Sequence, residues 1–505
     1  MRAQARLHQP IAIGIGVMLI AVLTGCANPF ARDVTPQPAL LPTRTLSPRA
    51  QATPTQTVEK PTPTRSPQAT RYPACDVARP DIRPIALTQP DSEGQIALIA
   101  PDDNLVLTDL SGRRRTPITS DAFINEAQGS RRVYRFPTFS SDSRFLAFVS
   151  LNISRNARAI TSSVHIAPTV ASPTIRTLYS TTEWNIPYLD WSPDGELIAF
   201  LTISPTAGAI RVVSREGGEP SIFDTGIPTY WHWRPDSAGM VTHLGGRATT
   251  RGKANVSIIT SSGTTKDAQM VISDLPGAFQ SPHWSPDGRY VLLVAYTGGQ
   301  DELVLADAAG KPICTLQVVE YNAYFAWSPD GRAVAVLDTA PSPAGILLPG
   351  ELVVYDLANR GSRAVHDEAS MFFWSPDGQK LAVYSLAFDA QLTPLSDGGS
   401  HRLSAPAAQQ RTVALRIEIL DLASRRSVKV ADTSPSSVFS QYFPYFDQYS
   451  RAVTPWSPDS RRLVFASFSP GDDIAHVAVA TLNPTGDAVS ITRIAAGVAA
   501  FWSPR

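Results

Sequence analysis

The sequence lacks the short motifs that mark common classes of enzymes and metal-binding proteins. Its 505 residues contain no Gly-x-Ser-x-Gly elbow, no His-Glu-x-x-His motif and no EF-hand loop. The 44 basic and 44 acidic side chains balance, so no overall positive field is present to hold nucleic acid. We therefore expect a protein that is not an enzyme, with no catalytic residues, no cofactor, no resident metal and no nucleic-acid partner.

Long apolar runs are nearly absent as well, and the one that occurs lies near the start of the chain. Arg2 and Arg6 precede an apolar run over Ile11–Leu23, which is too short for a standard membrane span. The run ends in Leu-Thr-Gly-Cys26, which resembles the lipobox of bacterial lipoproteins, whose cysteine carries lipid after cleavage. Residues 1–26 are therefore interpreted as a lipoprotein signal peptide lipidated at Cys26; the alternative is a plain secretory signal with an incidental cysteine.

Residues 27–80 contain almost nothing that could build a core. Thr-Pro steps recur in a tract rich in Pro, Thr, Ser and Gln. Such a composition stays extended and spaces a folded domain away from a membrane. We expect a disordered linker over 27–80 and one folded domain over 81–505. We expect an extracytoplasmic location, where the lipid anchors the protein to the bacterial membrane, either in the periplasm or on the outer face of the cell membrane.

Cysteine is scarce, since only Cys75 and Cys314 occur beyond Cys26. Two cysteines cannot complete a structural zinc site without other ligands. In an oxidising compartment they could form a disulfide that ties the end of the linker to the folded domain. Two separate thiols are an equally simple alternative.

What the sequence has in abundance is one short motif, Trp-Ser-Pro-Asp-Gly, in eight complete or partial copies. Seven of the nine tryptophans lie in the copies, which begin at Phe139, Trp191, Trp233, Trp284, Trp327, Trp374, Trp456 and Trp502. Successive copies begin 42–52 residues apart, except for a spacing of 82 residues before Trp456. A period of about 40–50 residues with several short strands in each unit is typical of a β-propeller.

One repeat shows how the sequence builds a propeller blade. After Trp284 come a Ser-Pro-Asp-Gly turn and three β-rich runs that reach Val319. Pro286 presets φ at the first central turn position, Asp287 can bond the local backbone, and Gly288 takes the positive φ that closes the turn. We expect the tryptophan, at the end of the innermost strand, to bury its ring between neighbouring blades.

The two ends of the chain complement each other. Residues 95–119 supply three strands without a preceding motif, and Gly497–Arg505 supplies one more. Pairing them in one blade would close the ring and remove its open edges. The sequence thus predicts an all-β propeller of eight four-stranded blades, with seven blades as the alternative.

Two segments of the chain fall outside the repeat. The long spacing before Trp456 is assigned to a surface loop over 386–412 inserted into one blade. The aromatic stretch Phe439–Tyr449 is assigned either to packing between blades or to a binding surface on the rim of the ring.

Polar side chains recur directly before the motif aromatic, on the innermost strand. Three consecutive blades carry Asp190, His232 and His283 there, with Tyr188 and Tyr230 two residues before the first two. Ring symmetry would bring these side chains to one height in the central channel, where two histidines and a carboxylate form a workable metal-binding or acid–base set. The alternative is a wet polar channel without such a role. We retain the five as candidate ligand-binding residues.

The motif followed by an apolar strand, as in Leu197-Ile-Ala-Phe and Leu463-Val-Phe-Ala, resembles the propeller repeat of the TolB family, also called the PD or WD-like repeat. The resemblance extends over roughly 94–505 and is specific for fold rather than function. It implies a ring whose loops and channel mouth bind a protein or peptide partner in the cell envelope. We expect a monomeric, membrane-anchored binding scaffold. The alternatives are an enzyme or metal-dependent ligand-binding protein that uses the channel, and cell-wall or carbohydrate binding through rim aromatics.

Overall fold

The computed structural model describes residues 72–88, 93–125, 127–154, 159–246, 254–273, 276–278, 280–340, 348–395, 412–469 and 472–505. The helices in these ranges are α1 (Cys75–Ala78), a 3₁₀ helix (Phe439–Tyr445) and α2 (Phe446–Tyr449). No helix in the described ranges is long and apolar enough to cross a membrane. Three predicted segments lie outside the described residues: the signal peptide with Cys26, residues 27–71 of the linker and residues 396–411 of the loop. The domain boundaries therefore remain predictions.

The strands form eight sheets, which are the blades of a β-propeller. Blades 1 to 4 contain β1 (Ile96–Ile99), β2 (Leu105–Thr108) and β3 (Arg115–Pro117); β4 (Phe123–Asn125), β5 (Ser130–Phe139), β6 (Phe145–Ser154), β7 (Ala159–Pro168) and β8 (Arg176–Thr181); β9 (Asn185–Trp191), β10 (Leu197–Ile203), β11 (Gly208–Ser214) and β12 (Ser221–Thr225); and β13 (Thr229–Trp233), β14 (Gly239–Leu244), β15 (Asn255–Ser262) and β16 (Thr265–Ser273). The all-β propeller fold is confirmed, with eight blades rather than seven.

Blades 5 to 8 continue in the same order along the chain. They contain β17 (His283–Trp284), β18 (Tyr290–Thr297), β19 (Gln300–Asp307) and β20 (Pro312–Val319); β21 (Asn322–Trp327), β22 (Ala333–Thr339), β23 (Gly350–Asp356) and β24 (Gly361–Ala369); β25 (Met371–Trp374), β26 (Lys380–Ala390), β27 (Thr412–Asp421) and β28 (Arg426–Thr433); and β29 (Arg462–Ser467), β30 (His476–Leu482) and β31 (Val489–Ala496). The last strand, β32 (Ala499–Trp502), belongs to blade 1.

The ring closes as the chain ends predict. Strand β1 pairs with β2 on one side and with β32 on the other, in a register that runs from Ile96 opposite Trp502 to Ile99 opposite Ala499. This pairing covers the edge of β1 that would otherwise be open, which is the physical advantage of closing a propeller in this way.

Two blades differ from the predicted four strands. Blade 2 is a five-stranded sheet, because β4 pairs with the free edge of β5. Blade 8 is a three-stranded sheet, and its innermost position is occupied by Trp456, which makes an isolated bridge to Leu463 of β29. The chain before Trp456 takes a different path, into the centre of the ring.

The motif turns are held by local hydrogen bonds of their serine and aspartate. In blade 5 the Ser285 hydroxyl donates to Asp287 at 2.6 Å and accepts the backbone N–H of Tyr290 at 3.0 Å. Gly288 has φ +69°, as predicted for the residue that closes the turn. We call the side of the ring that carries these turns the motif face.

Six of the seven motif tryptophans are buried where neighbouring blades meet, as expected, and Trp374 is half-buried. Three of them donate the indole N–H to the backbone carbonyl of the residue before the motif aromatic in the preceding blade: Trp191 to Thr138 at 3.1 Å, Trp374 to Ala326 at 3.2 Å and Trp456 to Phe373 at 3.0 Å. Each such indole therefore links two blades as well as filling the space between them.

The residues before the propeller are fastened to the outside of blade 5. Cys75 and Cys314 form a disulfide with their Cα atoms 4.9 Å apart. Beside it, Ala74 bridges Thr315 of β20, and further along, the Ile85 N–H donates to the carbonyl of Asp330 in a motif turn at 2.9 Å. The structure therefore has the disulfide rather than two separate thiols.

Candidate functional site

The central channel is filled by the aromatic stretch Phe439–Tyr449. The prediction that these rings pack between blades or form a binding surface on the rim of the ring is wrong. Phe446 is 1% exposed, and its ring centroid lies 5.4 Å from that of Tyr324 and 5.3 Å from that of Phe372, on blades 6 and 7. On the opposite side, Tyr449 stacks on Phe136 of blade 2 at 5.7 Å. The channel offers these rings a buried apolar environment that a solvent-exposed rim cannot.

Hydrogen bonds fix this segment to the innermost strands. The Gln448 side chain accepts the N–H of Trp231 at 3.3 Å and donates to its carbonyl at 3.1 Å, which completes the edge of β13. Tyr188 donates to the Gln448 carbonyl at 3.0 Å, and Tyr449 donates to the carbonyl of Pro187 at 2.7 Å. We call Phe439–Thr454, which continues from this segment toward the motif face, the channel plug.

A cavity of about 520 Å³ opens on the motif face, above the plug. Its floor is Ser450–Thr454, and its wall consists of motif aromatic residues from seven blades together with motif prolines: Phe139, Trp191, Trp233, Trp284, Trp327, Trp374, Trp502, Pro193, Pro235, Pro286, Pro329 and Pro504. The volume lies in the range of about 300–1,000 Å³ that is typical of small-ligand pockets.

Asp190, His232 and His283 all line this cavity, so ring symmetry does bring the three residues together. The ring centroids of the two histidines are 5.1 Å apart. Tyr188 and Tyr230 are not among the lining residues; they lie against the plug, Tyr188 through its bond to Gln448 and Tyr230 through an edge contact with Tyr445 at 5.9 Å. The two tyrosines therefore support the floor rather than face the cavity.

Arg451 is a further cavity residue that the repeat pattern did not reveal. Its guanidinium donates to the carbonyl of Trp231 at 2.6 Å, to that of Pro282 at 3.4 Å and to the hydroxyl of Ser281. The two carbonyls belong to the residues that directly precede His232 and His283. Because Arg451 lies in the plug and has no counterpart in other repeats, only its position two residues after the aromatic stretch offered a signal.

Burial sets the charges of this site. It raises the pKa of Asp190 to about 7, against an opposing effect of the Arg451 cation. Burial also lowers the pKa of His232 and of His283 well below the ordinary histidine value, and the positive charge of Arg451 adds to this. Near neutral pH the cavity therefore contains one guanidinium, one partly protonated carboxyl and two neutral imidazoles.

The geometry of His232 does not favour the metal-binding alternative. Its Nδ1 accepts the backbone N–H of Trp284 at 2.7 Å. A neutral imidazole whose Nδ1 is an acceptor has its proton on Nε2, so no lone pair is left for a metal. Within the described ranges, no three His, Cys, Asp or Glu side chains converge as a metal site.

Six polar atoms of the cavity-lining residues are buried without a hydrogen-bond partner among the described residues. They are Nε of Arg451, Nε2 of His283 and the indole Nε1 atoms of Trp233, Trp284, Trp327 and Trp502. His283 itself is 4% exposed and is packed between His232 and Phe325, with ring centroids at 5.1 and 5.3 Å. Buried polar groups without partners cost free energy and often mark functional sites.

No family model matches the chain. Among curated proteins, an uncharacterized protein of Agrobacterium fabrum, Atu1656, is 27% identical over 156 residues, which is 30% of this chain and 46% of that protein. TolB from Acinetobacter baumannii is 17% identical over 55% of this chain and 65% of its own, with a TM-score of 0.33. An oligogalacturonate lyase from Vibrio parahaemolyticus is 13% identical over 80% of this chain and all of its own, with a TM-score of 0.43.

The prediction that the protein is not an enzyme needs correction. Solved structures that match this chain include that lyase and a puromycin-hydrolyzing peptidase of Mycobacterium tuberculosis, which is 12% identical over 83% of this chain and 62% of its own, with a TM-score of 0.41. The physical reason is that a ring can assemble side chains from separate blades, which leaves no contiguous motif in the sequence. The absence of known motifs therefore does not exclude catalysis.

Proposed function

We propose that the protein is an extracytoplasmic scaffold that binds a protein or peptide partner on the motif face, with the cavity as the central contact. The observation that supports this most directly is the cavity wall, which combines motif aromatic side chains from seven blades with motif prolines from five. Aromatic side chains around a pocket, with a few polar groups on one side, are typical of binding sites that take an inserted part of a partner.

Site-specific photo-crosslinking tests this proposal. A photoreactive amino acid at Pro329, which lines the cavity, should capture a partner in membranes that contain the intact protein. The same amino acid at Val170, which is 58% exposed in the loop between β7 and β8, is the matched control. A partner captured from position 329 and not from 170 supports binding at the motif face; identical products from both positions would contradict it.

We further propose that the protein acts outside the cytoplasm and is lipid-anchored through Cys26. The Cys75–Cys314 disulfide supports the compartment, because such bonds persist mainly where the environment is oxidising. The anchor rests on the sequence of residues 2–26, which ends in Leu-Thr-Gly-Cys.

The anchor is tested by cell fractionation. The Cys26→Ala variant should move from the membrane fraction to the soluble fraction, whereas a Cys314→Ala variant, which lacks the disulfide but retains Cys26, should stay with the membrane. Equal pelleting of Cys26→Ala and wild type would rule out the anchor. Sedimentation of protein without residues 1–26 would test the predicted monomer.

Acid–base chemistry in the same cavity is a second candidate function. The observation that favours it is the carboxyl of Asp190, whose pKa of about 7 suits proton transfer near neutral pH. If it operates, a partner peptide captured at the cavity should change in mass on incubation with wild-type protein and remain unchanged with Asp190→Asn. If the peptide mass stays unchanged with both proteins, the cavity binds the peptide without acid–base chemistry.

A further inference from the structure

We infer that the cavity binds the carboxyl-terminal end of a peptide chain, with the terminal carboxylate beside Arg451 and the last side chain against Phe372 and Phe373. This rests on the proposed binding function and narrows it to one kind of ligand. Three features of the site support it: the closed floor, the placement of charge, and the apolar part of the wall in blades 6 and 7.

The floor prevents a chain from passing through the ring. The plug contacts innermost strands on opposite sides of the channel, through Tyr449 on Phe136 and Phe446 on Phe372, and its residues Ser450–Thr454 form the bottom of the cavity. A peptide that enters must therefore either turn back within about 520 Å³ or end there. A chain terminus meets this limit without the cost of a tight turn.

The charged groups of the cavity favour a carboxylate over an ammonium group. Among the described lining residues only Arg451 and Asp190 carry ionisable charge near neutral pH, since burial holds the two histidines neutral. With Asp190 protonated, the lining residues carry a net positive charge, and the carboxyl can donate a hydrogen bond to a carboxylate. Asp447 of the plug, whose pKa burial raises to about 6, interacts with Arg451 from outside the lining. An ammonium group would meet the guanidinium of Arg451 at close range.

Arg451 retains hydrogen-bonding capacity for a ligand. A guanidinium has five N–H groups, and its bonds to Trp231, Ser281 and Pro282 account for three of them. Those bonds also hold the side chain in place, so a ligand would not have to order it. Charge-assisted bonds from a pre-ordered arginine to a carboxylate are among the stronger ones in proteins.

The part of the wall formed by blades 6 and 7, which follow the blades that Arg451 bonds, is apolar. Blades 6 and 7 present Ala326, Phe372, Phe373 and Trp374 to the cavity, whereas blades 3 to 5 present Asp190, His232 and His283. A ligand that fits both sides has a charged end next to an apolar body. The last residue of a peptide has this form when its side chain is apolar, because its carboxylate and side chain leave the same Cα.

The test compares two tetrapeptide libraries on wild-type protein. Both are N-acetylated with the same degenerate sequences, and they differ only in ending as a free acid or as an amide. Binding is followed by quenching of the cavity tryptophans and by saturation-transfer NMR. We expect free acids with an apolar last residue to bind at least about tenfold more tightly than their amides. Comparable binding of both libraries, or no binding of either, overturns the inference.

Variants then locate the contact. Arg451→Gln should abolish the preference for the free acid, whereas Arg113→Gln, which changes an exposed arginine between β2 and β3 outside the cavity, should retain it. If Arg451→Gln does not fold, the acid–amide comparison on wild-type protein still decides the question. A third library with free amino termini and amidated ends covers ammonium recognition, and selective binding of that library also overturns the inference. Partner capture from position 329 without a preference for free acids would leave the proposed scaffold function intact.

Discussion

Blades 1 and 8 are neighbours in the ring and fill their innermost positions in different ways. Blade 1 takes β32 from the end of the chain, with four residue pairs from Ile96–Trp502 to Ile99–Ala499. Blade 8 has only Trp456 in that place, through one bridge to Leu463. The two blades meet where the N–H of Trp502 donates to the carbonyl of Thr454 at 2.9 Å. One blade thus gains a strand from a distant segment, and the other gives up its strand to fill the channel.

The difference shows that the motif turn does not depend on a full innermost strand. In blade 8 the Ser457 hydroxyl donates to Asp459 at 2.5 Å and accepts the N–H of Arg462 at 2.9 Å, as the equivalent residues do in blade 5. The indole of Trp456 still bonds the preceding blade. Because these contacts are local or involve one side chain, the preceding residues are free to form the plug and the cavity floor.

Removal of β32 is expected to have the largest effect. A chain that ends at residue 496 loses Phe501 and Trp502, which are 4% and 1% exposed, and leaves β1 with an open edge. The loss of two buried aromatic side chains alone is worth more than about 5 kcal/mol of unfolding free energy, and the open edge favours aggregation. Thermal melting with light scattering measures both effects. Deletion of the exposed Arg505 alone is the control; a truncated chain that melts like the full chain would show that closure by β32 is dispensable.

Truncation of the plug should have a smaller but still large effect. Phe446→Ala removes a fully buried ring from contacts with blades 6 and 7 and should lower the unfolding free energy by about 3–5 kcal/mol. Phe443→Ala, in the same segment but half-buried, should cost about 1 kcal/mol. Urea denaturation measures the difference. Equal losses of unfolding free energy for the two variants would mean that the buried contacts of Phe446 stabilise the protein no more than those of the half-buried Phe443.

The smallest expected effect concerns the pH dependence that the cavity imposes. Asp190 has a folded-state pKa of about 7, above the unfolded value of about 3.9. Its contribution to stability is therefore fully present below about pH 4 and is lost as the pH rises through 7, because the folded state disfavours the ionised form. Asp190→Asn cannot ionise, so its unfolding free energy relative to wild type should rise by about 1–3 kcal/mol between pH 5 and pH 8.

The control for this measurement is Glu216→Gln, whose side chain is 70% exposed and which should follow wild type across the range. Denaturation at a series of pH values gives both curves. A constant difference between Asp190→Asn and wild type would show that Asp190 ionises as an exposed carboxyl does, and that the cavity is more open to water than its geometry indicates.

The sequence alone determines those features of this protein that repeat or are local. Eight motif copies at nearly regular spacing specify eight blades, and the turn chemistry of Ser-Pro-Asp-Gly requires only neighbouring residues. The closing strand is predicted because the start of the domain supplies three strands of a blade and the end of the chain supplies one. Because equivalent positions in a ring recur at one height, the repeat also predicts that Asp190, His232 and His283 line one cavity.

Only the tertiary structure decided what occupies the space that the blades enclose. Phe439–Thr454 has no equivalent in other repeats, so no periodicity places it, and its position depends on the room left when eight blades close. The plug puts Arg451 between Trp231 and Pro282 and sets the cavity floor. The pairing of Cys75 with Cys314 likewise depends on where a segment 239 residues away lies. Contacts between distant, non-repeating segments follow from packing in three dimensions, which a single sequence does not display.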